Sequence, residues 1–314
     1  MSVKIAIVGA GYMATEHARA FAALPGVDIA GVSGRSRERA EALGSRHGAP
    51  VLDDVEALWR KTRADAVVVA VNEPSMAAVC EEVFRYPWTV LLEKPVGVDL
   101  ADALRIQECA RRNGAEARVW VGLNRRAYAS TRGALGMIPE EGSRLVSVLD
   151  QQDMSVIRAM GKPEVVVRNF MYANSLHLID YFDVFCRGEL VSVDVAAPWT
   201  PEAPGHVIAT LLWSSGDRGV YQALWDGPGP WAVAIAHPQM RLEMRPLESL
   251  AVQRRGERKV VAVDPDPIET AFKPGLYIQA QELLRAVNGE EPGLASLQDA
   301  IRSMALCAKI YGLN

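Results

Sequence analysis

Short apolar runs alternate with amphipathic stretches over the first 123 residues. Residues 3–8, 27–32, 66–71, 89–92 and 119–121 are β-branched and almost continuously apolar. Between them, 14–24, 37–47, 55–62, 75–85 and 100–113 are rich in Ala, Glu, Arg and Leu. Strands without a polar face, separated by helices, imply a parallel sheet covered on both sides. From about Leu145 the pattern changes. A helix is predicted at 169–185, followed by strands at 190–196, 207–213, 219–225, 232–236, 240–244 and 259–263. Gly, Pro and Asp break them apart at 198–204, 214–218, 226–230 and 264–267. Strands that follow one another without helices between them imply a mostly antiparallel, open sheet. Two helices, at 276–287 and 297–310, close the chain. The expected class is therefore α/β: a doubly wound Rossmann domain over 1–123, and a second α/β domain over 124–314.

The length agrees with two domains, since 314 residues exceed the roughly 100–200 of a single one. Acidic residues outnumber basic ones, 38 to 34, so no basic face for a nucleic acid is expected. Of those 34 basic residues only seven are Lys, which makes the position of each one informative. Cys80, Cys109, Cys186 and Cys307 are far apart. They show neither a CxxC nor a zinc spacing, so no metal site is expected, and buried reduced thiols fit a reducing cytoplasm. The longest apolar run, at 66–71, is far short of the ~18 residues of a membrane span. A soluble, cytoplasmic protein is expected.

The turn after the first strand reads Gly9-Ala10-Gly11-Tyr12-Met13-Ala14 and opens the first helix. This GxGxxA pattern serves dinucleotides: Gly9 makes the turn, Gly11 admits a pyrophosphate close to the backbone, and Ala14 lets the helix pack closely. The helix N-terminus adds free N–H groups for the anion. Specificity is expected at the end of the second strand, where an NAD site places Asp or Glu on the ribose. Here Gly34 stands at that position and 32–37 hold no carboxylate before Glu38. Ser33, Arg35, Ser36 and Arg37 offer hydroxyl and guanidinium donors suited to a 2′-phosphate, so NADP(H) is favoured over NAD(H).

Glu93-Lys94-Pro95 follows the buried strand at 89–92. Ligands of open α/β sheets bind at that edge. An ammonium partly desolvated there should have a lowered pKa, as proton transfer near neutrality requires. Pro95 also allows a cis bond that would direct the lysine.

Together with Gly122-Leu123-Asn124-Arg125-Arg126 and Asn174-Ser175-Leu176-His177-Leu178-Ile179-Asp180, these motifs give a sequence that resembles the glucose–fructose oxidoreductase, inositol dehydrogenase and rhizopine-catabolism (Gfo/Idh/MocA) family. The resemblance implies a Rossmann domain and a second domain whose open sheet forms homodimers or homotetramers. It also implies NAD(P)-dependent hydroxyl–carbonyl chemistry on a sugar-like compound, with Lys94 and His177 as catalytic residues. Glu93 and Lys94 are expected at the cofactor as well. A relative would carry Asp four residues before the histidine, and this chain has Ala173 there.

On a regular helix Asn174, Asp180 and Tyr181 share a face with His177. These three, with Asn124, Arg125 and Tyr172, are the candidate substrate residues. Tyr172 and Tyr181 are considered as replacements for the missing Asp. Arg126 and Tyr128 are candidates for lining the cleft, as is the Lys273-Pro274-Gly275 loop, while His17 is read as helix surface or near the pyrophosphate. Trp199, Trp213, Trp225 and Trp231 are read first as packing. The leading expectation is an NADP(H)-dependent oxidoreductase acting on a sugar, nucleotide-linked or otherwise anionic, at a site between the two domains. The alternatives are a glycosidase-type enzyme with tightly bound NAD, and a non-catalytic dinucleotide sensor.

Overall fold

The computed structural model describes residues 2–200 and 202–313. Pro201, inside the break expected at 198–204, lies outside them, as do Met1 and Asn314. The chain forms two compact units, 1–127 with 270–301 and 128–269 with 302–314.

In the first unit the strands are β1 (Val3–Val8), β2 (Val27–Ser33), β3 (Val51–Leu52), β4 (Ala66–Val69), β5 (Thr89–Leu92) and β6 (Val119–Val121). They lie in the order β6-β5-β4-β1-β2-β3, all parallel. The order reverses direction between β1 and β4, which is the switch point where a doubly wound sheet opens a crevice. The helices are α1 (Tyr12–Ala22), α2 (Arg37–His47), α3 (Val55–Thr62), α4 (Met76–Val83) and α5 (Leu100–Arg112). Ser36, Asp54 and Asp99 cap α2, α3 and α5 with side-chain oxygens, as their residue types favour. β3 was not foreseen, because two residues carry no readable periodicity.

The expected linear division at 123/124 differs from these units at one segment. The helix Leu276–Val287 buries Leu276, Ala280 and Leu283 in one core with Ala14, Ala18 and Phe21 of α1. A two-residue strand, Ala295–Ser296, pairs antiparallel with β6 at the sheet edge. Apolar burial thus assigns 270–301 to the sheet unit, although it is remote in sequence. The final helix, Leu297–Tyr311, begins in the first unit and ends in the second.

The second unit holds β7 (Leu145–Gln151), β8 (Leu190–Ala197), β9 (His206–Trp213), β10 (Arg218–Leu224), β11 (Ala232–His237), β12 (Met240–Met244), β13 (Leu250–Arg254) and β14 (Val260–Val263). Their order is β14-β13-β12-β11-β7-β10-β9-β8. Every pair is antiparallel except β7 with β10. Two strands escaped the sequence reading. β7 turns Val146, Val148 and Asp150 inward, and a carboxylate in the core row breaks the apolar alternation. β13 is short and ends in Gln253-Arg254.

The helices of this unit are α6 (Ala129–Met137), α7 (Met154–Ala159), α8 (Glu164–Arg168) and α9 (Leu176–Phe185). The single helix expected over 169–185 is in fact a π-helical turn, Met171–Ser175, running into α9. Packing of α9 on the sheet requires Gly219, where a Cβ would come 2.7 Å from the Phe182 ring and 3.0 Å from Trp213. The four cysteines are free and buried, and burial pushes their thiols upward in pKa. No helix among the described residues is long and apolar enough to cross a membrane.

Asp217, fully buried, ties three segments of the second unit together. It accepts hydrogen bonds from the backbone N–H groups of Arg144 (2.8 Å) and Arg187 (3.0 Å) and from the Arg187 guanidinium (2.9 Å and 2.8 Å). Burial alone would raise its pKa, but these bonds outweigh it and hold the carboxyl at about 2, below its ordinary 3.8. A depressed folded-state pKa adds stability that is present above the ordinary value and lost as pH falls through the folded one. The melting temperature should therefore drop between about pH 4 and 2. Asp217→Ala should abolish this part of the acid response and cost about 3 kcal/mol at neutral pH, as breaking a buried ion pair does. Parallel acid-melting curves for the two proteins would exclude Asp217 as its source.

Candidate active site

A cavity of about 720 Å³ opens at the C-terminal ends of β1, β2 and β4. Gly9, Ala10, Gly11, Ser33, Arg35 and Ser36 line it, together with Arg39, Asp53 and Asn72. Gly9 has φ +118°, and a Cβ there would lie 2.1 Å from the Ala70 carbonyl oxygen. Gly11, the N-cap of α1, has no atom within 4 Å of where a Cβ would sit. No side chain caps α1 and no acid lies in its first turn, so its first N–H groups face a cradle suited to a pyrophosphate. The residues present thus fit a dinucleotide. Tyr12, Met13 and Ala14 are not part of the lining: Tyr12 is exposed, with the Lys273 ammonium 5.5 Å from its ring centroid, and Ala14 is core.

The arginines divide. Arg37 bonds Glu41 and Asp53, both at 2.8 Å, and is absent from the lining. Arg39, which the sequence reading missed, lines the cavity beside Arg35. Only its helical offset from Arg35 could have flagged it. Ser36 also caps α2, accepting the Arg39 N–H at 3.4 Å.

One strand over from β4, β5 delivers Glu93 and Lys94, and the Lys94–Pro95 bond is cis. Lys94 is half-buried. Glu93 is buried: its Oε1 lies 2.7 Å from His17 Nε2, and its Oε2 accepts the Lys94 N–H at 3.2 Å. The sequence reading of His17 as helix surface is corrected here, because the ring is 1 % exposed. His17 joins the pyrophosphate-facing helix to the residue before Lys94. Asn124 is also buried and donates to the Pro274 carbonyl at 3.0 Å, which anchors the Lys273-Pro274-Gly275 loop within the same unit.

In the second unit the π-turn carries Tyr172, Ala173 and Asn174, and His177 follows in the first turn of α9, buried. Asn174 donates to Gln152 Oε1 at 2.9 Å. The π-turn breaks the regular helical face expected from spacing. Asp180 accepts the Ser303 hydroxyl at 2.7 Å, and the Tyr181 hydroxyl lies 3.3 Å from Thr131 Oγ1, both inside the unit. Tyr181 stacks on Phe185 and is a core residue. Trp199, Trp213 and Trp225 are buried packing, while Trp231 lines a shallow groove with Gln151, Asp153, Phe170 and Asn174.

Residues 3–123 match the model of an oxidoreductase family with an NAD-binding Rossmann fold, GFO/IDH/MocA. An inositol 2-dehydrogenase from Streptomyces avermitilis is 32% identical over 136 residues, which cover 43% of this chain and 39% of the relative. The match therefore spans about two fifths of that relative's length. Solved structures extend the fold to the whole chain. A UDP-N-acetylglucosamine 3-dehydrogenase from Acidithiobacillus ferrooxidans superposes with a TM-score of 0.80, 17% identity, and coverage of 100% of this chain and 98% of that one. An aldose–aldose oxidoreductase from Caulobacter crescentus, complexed with glycerol, gives 0.81, 16%, 100% and 97%.

The His17–Glu93 bond makes a measurable prediction for the first unit. Gln at position 17 places an N–H near that of Nε2, whereas Asn is too short to reach. His17→Asn should melt below His17→Gln, by about 1–3 kcal/mol for the stranded carboxylate. Equal melting of the two variants would show that the bond adds nothing to stability.

Proposed function

We propose that the protein is an NADP(H)-dependent oxidoreductase interconverting a hydroxyl and a carbonyl on a sugar-like substrate. The observation that carries this reading is the placement of Lys94 on the strand next to the dinucleotide cavity, at the same C-terminal edge of one parallel sheet. When bound, the nicotinamide supplies or takes the hydride. Lys94, alone or with His177, holds the proton: it stabilises and protonates the developing alkoxide in reduction and accepts the proton in oxidation. Glu93 positions Lys94 by accepting its backbone N–H. Asn124, Arg125, Tyr172 and Asn174 are assigned to the substrate. The names of the relatives, which mention inositol, a nucleotide-linked sugar and aldoses, favour a polyol or sugar.

Arg35 and Arg39 support the NADP(H) preference, as does the pairing of Asp53 with Arg37, which neutralises a carboxylate at the cavity wall. A homodimer or homotetramer is proposed through the outer face of the second sheet. There Ala232, Leu149, Gln222 and Ile208 stand in register across four strands, and Ile208 is exposed.

Lys94→Met should leave NADPH binding largely intact and reduce turnover by at least ~10²-fold on whichever member of a nucleotide-sugar and cyclitol panel is turned over. Unchanged turnover would remove Lys94 from the chemistry. In a thermal-shift titration NADPH should stabilise the protein more than NADH does. Arg35→Ala should weaken NADPH roughly tenfold, the value of one charge-assisted hydrogen bond, and leave NADH unaffected. Stabilisation by NADH alone would overturn the cofactor assignment.

A further inference from the structure

Residues 270–301 return to the sheet unit and bring one lysine to the glycine turn. Lys273 lies just before the helix Leu276–Val287, in a loop whose backbone is held on both sides. Leu276 is buried with Ala14, Ala18 and Phe21 of α1. Gly275 turns the chain at φ +79°, in the left-handed region that favours glycine. The Pro274 carbonyl accepts from Asn124, just past β6. On the other side, Phe272 stacks on Tyr277 with ring centroids 5.0 Å apart, and the Arg19 guanidinium lies 5.0 Å from the centre of the Phe272 ring. Lys273 is half-buried, with its ammonium 5.5 Å from the ring centroid of Tyr12, the first residue of α1.

This placement sets like charges side by side. The free N–H groups of a helix start carry partial positive charge, so a cation beside them has the unfavourable sign. The surroundings do not offset it. Arg19 pairs with Glu16 at 3.4 Å, no acid lies in the first turn of α1, and among the described residues no carboxylate pairs with Lys273. Tyr12 is 67 % exposed, and a cation–π contact is weak at a ring that faces water. A cation and an uncapped helix start at one place suit an anion that both can reach.

The cavity at the ends of β1, β2 and β4 suits the adenosine half of a dinucleotide, with Arg35 and Arg39 in its wall, and Lys273 is not part of its lining. The other half points the opposite way. In the sheet order β5, which ends at Lys94, lies between β4 and β6. Asn124 ties the Lys273 loop to the end of β6. A dinucleotide that starts in the cavity and ends at Lys94 crosses the first residues of α1, with Lys273 beside the second half of its path. We propose that Lys273 binds the nicotinamide-side phosphate of the dinucleotide, with the Tyr12 ring steering its ammonium to the α1 turn. This role rests on dinucleotide binding at the glycine turn and on Lys94 as the end of the path. It is independent of the preference for NADP(H), since both cofactors carry the diphosphate.

Calorimetric titration of the full-length protein tests this role. Lys273→Gln should bind NADPH and NADH each about tenfold more weakly, the value of one charge-assisted hydrogen bond. Its affinity for adenosine 5′-phosphate and for the 2′-phosphorylated form, which both end at the adenine-side phosphate, should match wild type. Unchanged binding of NADPH and NADH would overturn the assignment. An equal loss for the adenosine phosphates would overturn it too, because the lysine would then act on the adenosine half or on the fold. Tyr12→Leu should weaken both dinucleotides by a smaller factor and add no loss in the Lys273→Gln background. Additive losses would overturn the steering role of the ring. A wild-type protein that binds neither dinucleotide would overturn the dinucleotide reading itself, whereas one that binds them and is indifferent to Lys273→Gln overturns only the role of Lys273.

Discussion

A Cβ at position 9 would lie 2.1 Å from the Ala70 carbonyl oxygen, so the turn after β1 can form only where the chain has no side chain. That close approach sits at the switch point, with the Gly9 N–H bonded to the Ser33 carbonyl and the Ala70 N–H bonded to Val8. The ends of β1, β2 and β4 are thereby brought together, and the cavity opens beyond them. α1 starts at the same turn with its first N–H groups uncapped, whereas α2, α3 and α5 spend Ser36, Asp54 and Asp99 on their own ends. With open space in front of Gly11, the N-terminal charge of α1 is left for a ligand.

From this turn the proposed chemistry extends by one buried contact. His17 lies on α1 and reaches Glu93, and Glu93 holds the Lys94 backbone. A buried polar pair gains little net stability over apolar packing, although removing one partner is costly. Its use is geometric: it relates the helix facing the pyrophosphate to the strand end that presents the lysine. The second unit also buries polar groups in its core. Its sheet buries a carboxyl on β7 where the alternation calls for an apolar side chain, and gives it hydrogen bonds from Tyr221 and Gln152. In both units polar atoms enter the core where backbone next to a candidate residue has to be held still.

Much of the fold was legible because its signals are local. The bounds of β1, β5, β6, α2 and α3 follow from apolar periodicity and cap residues at their ends. β7 was not legible, because Asp150 occupies an inward position. The π-turn at 171–175 was not legible either, since an apolar stretch gives no sign of one extra residue per turn. Of the site, Gly9, Gly11, Ser33, Arg35 and Lys94 could be found from motif and spacing. Arg37 and Arg39 could not be told apart, because their roles depend on Asp53, which lies on another element.

By itself, then, the sequence determined the strand–helix alternation of the first 123 residues, the glycine turn, the absence of a carboxylate at position 34 and the position of a lysine that ends a buried strand. These follow from steric and periodic rules acting within a few residues. The tertiary structure decided which unit claims 270–301, that His17 is buried against Glu93, that Asp180 and Tyr181 turn toward Ser303 and Thr131, and that Asp150 accepts from Tyr221, 71 positions away. Each of these depends on burial and on hydrogen-bond partners that only folding brings together. A polar side chain takes its role from the atoms that replace water around it.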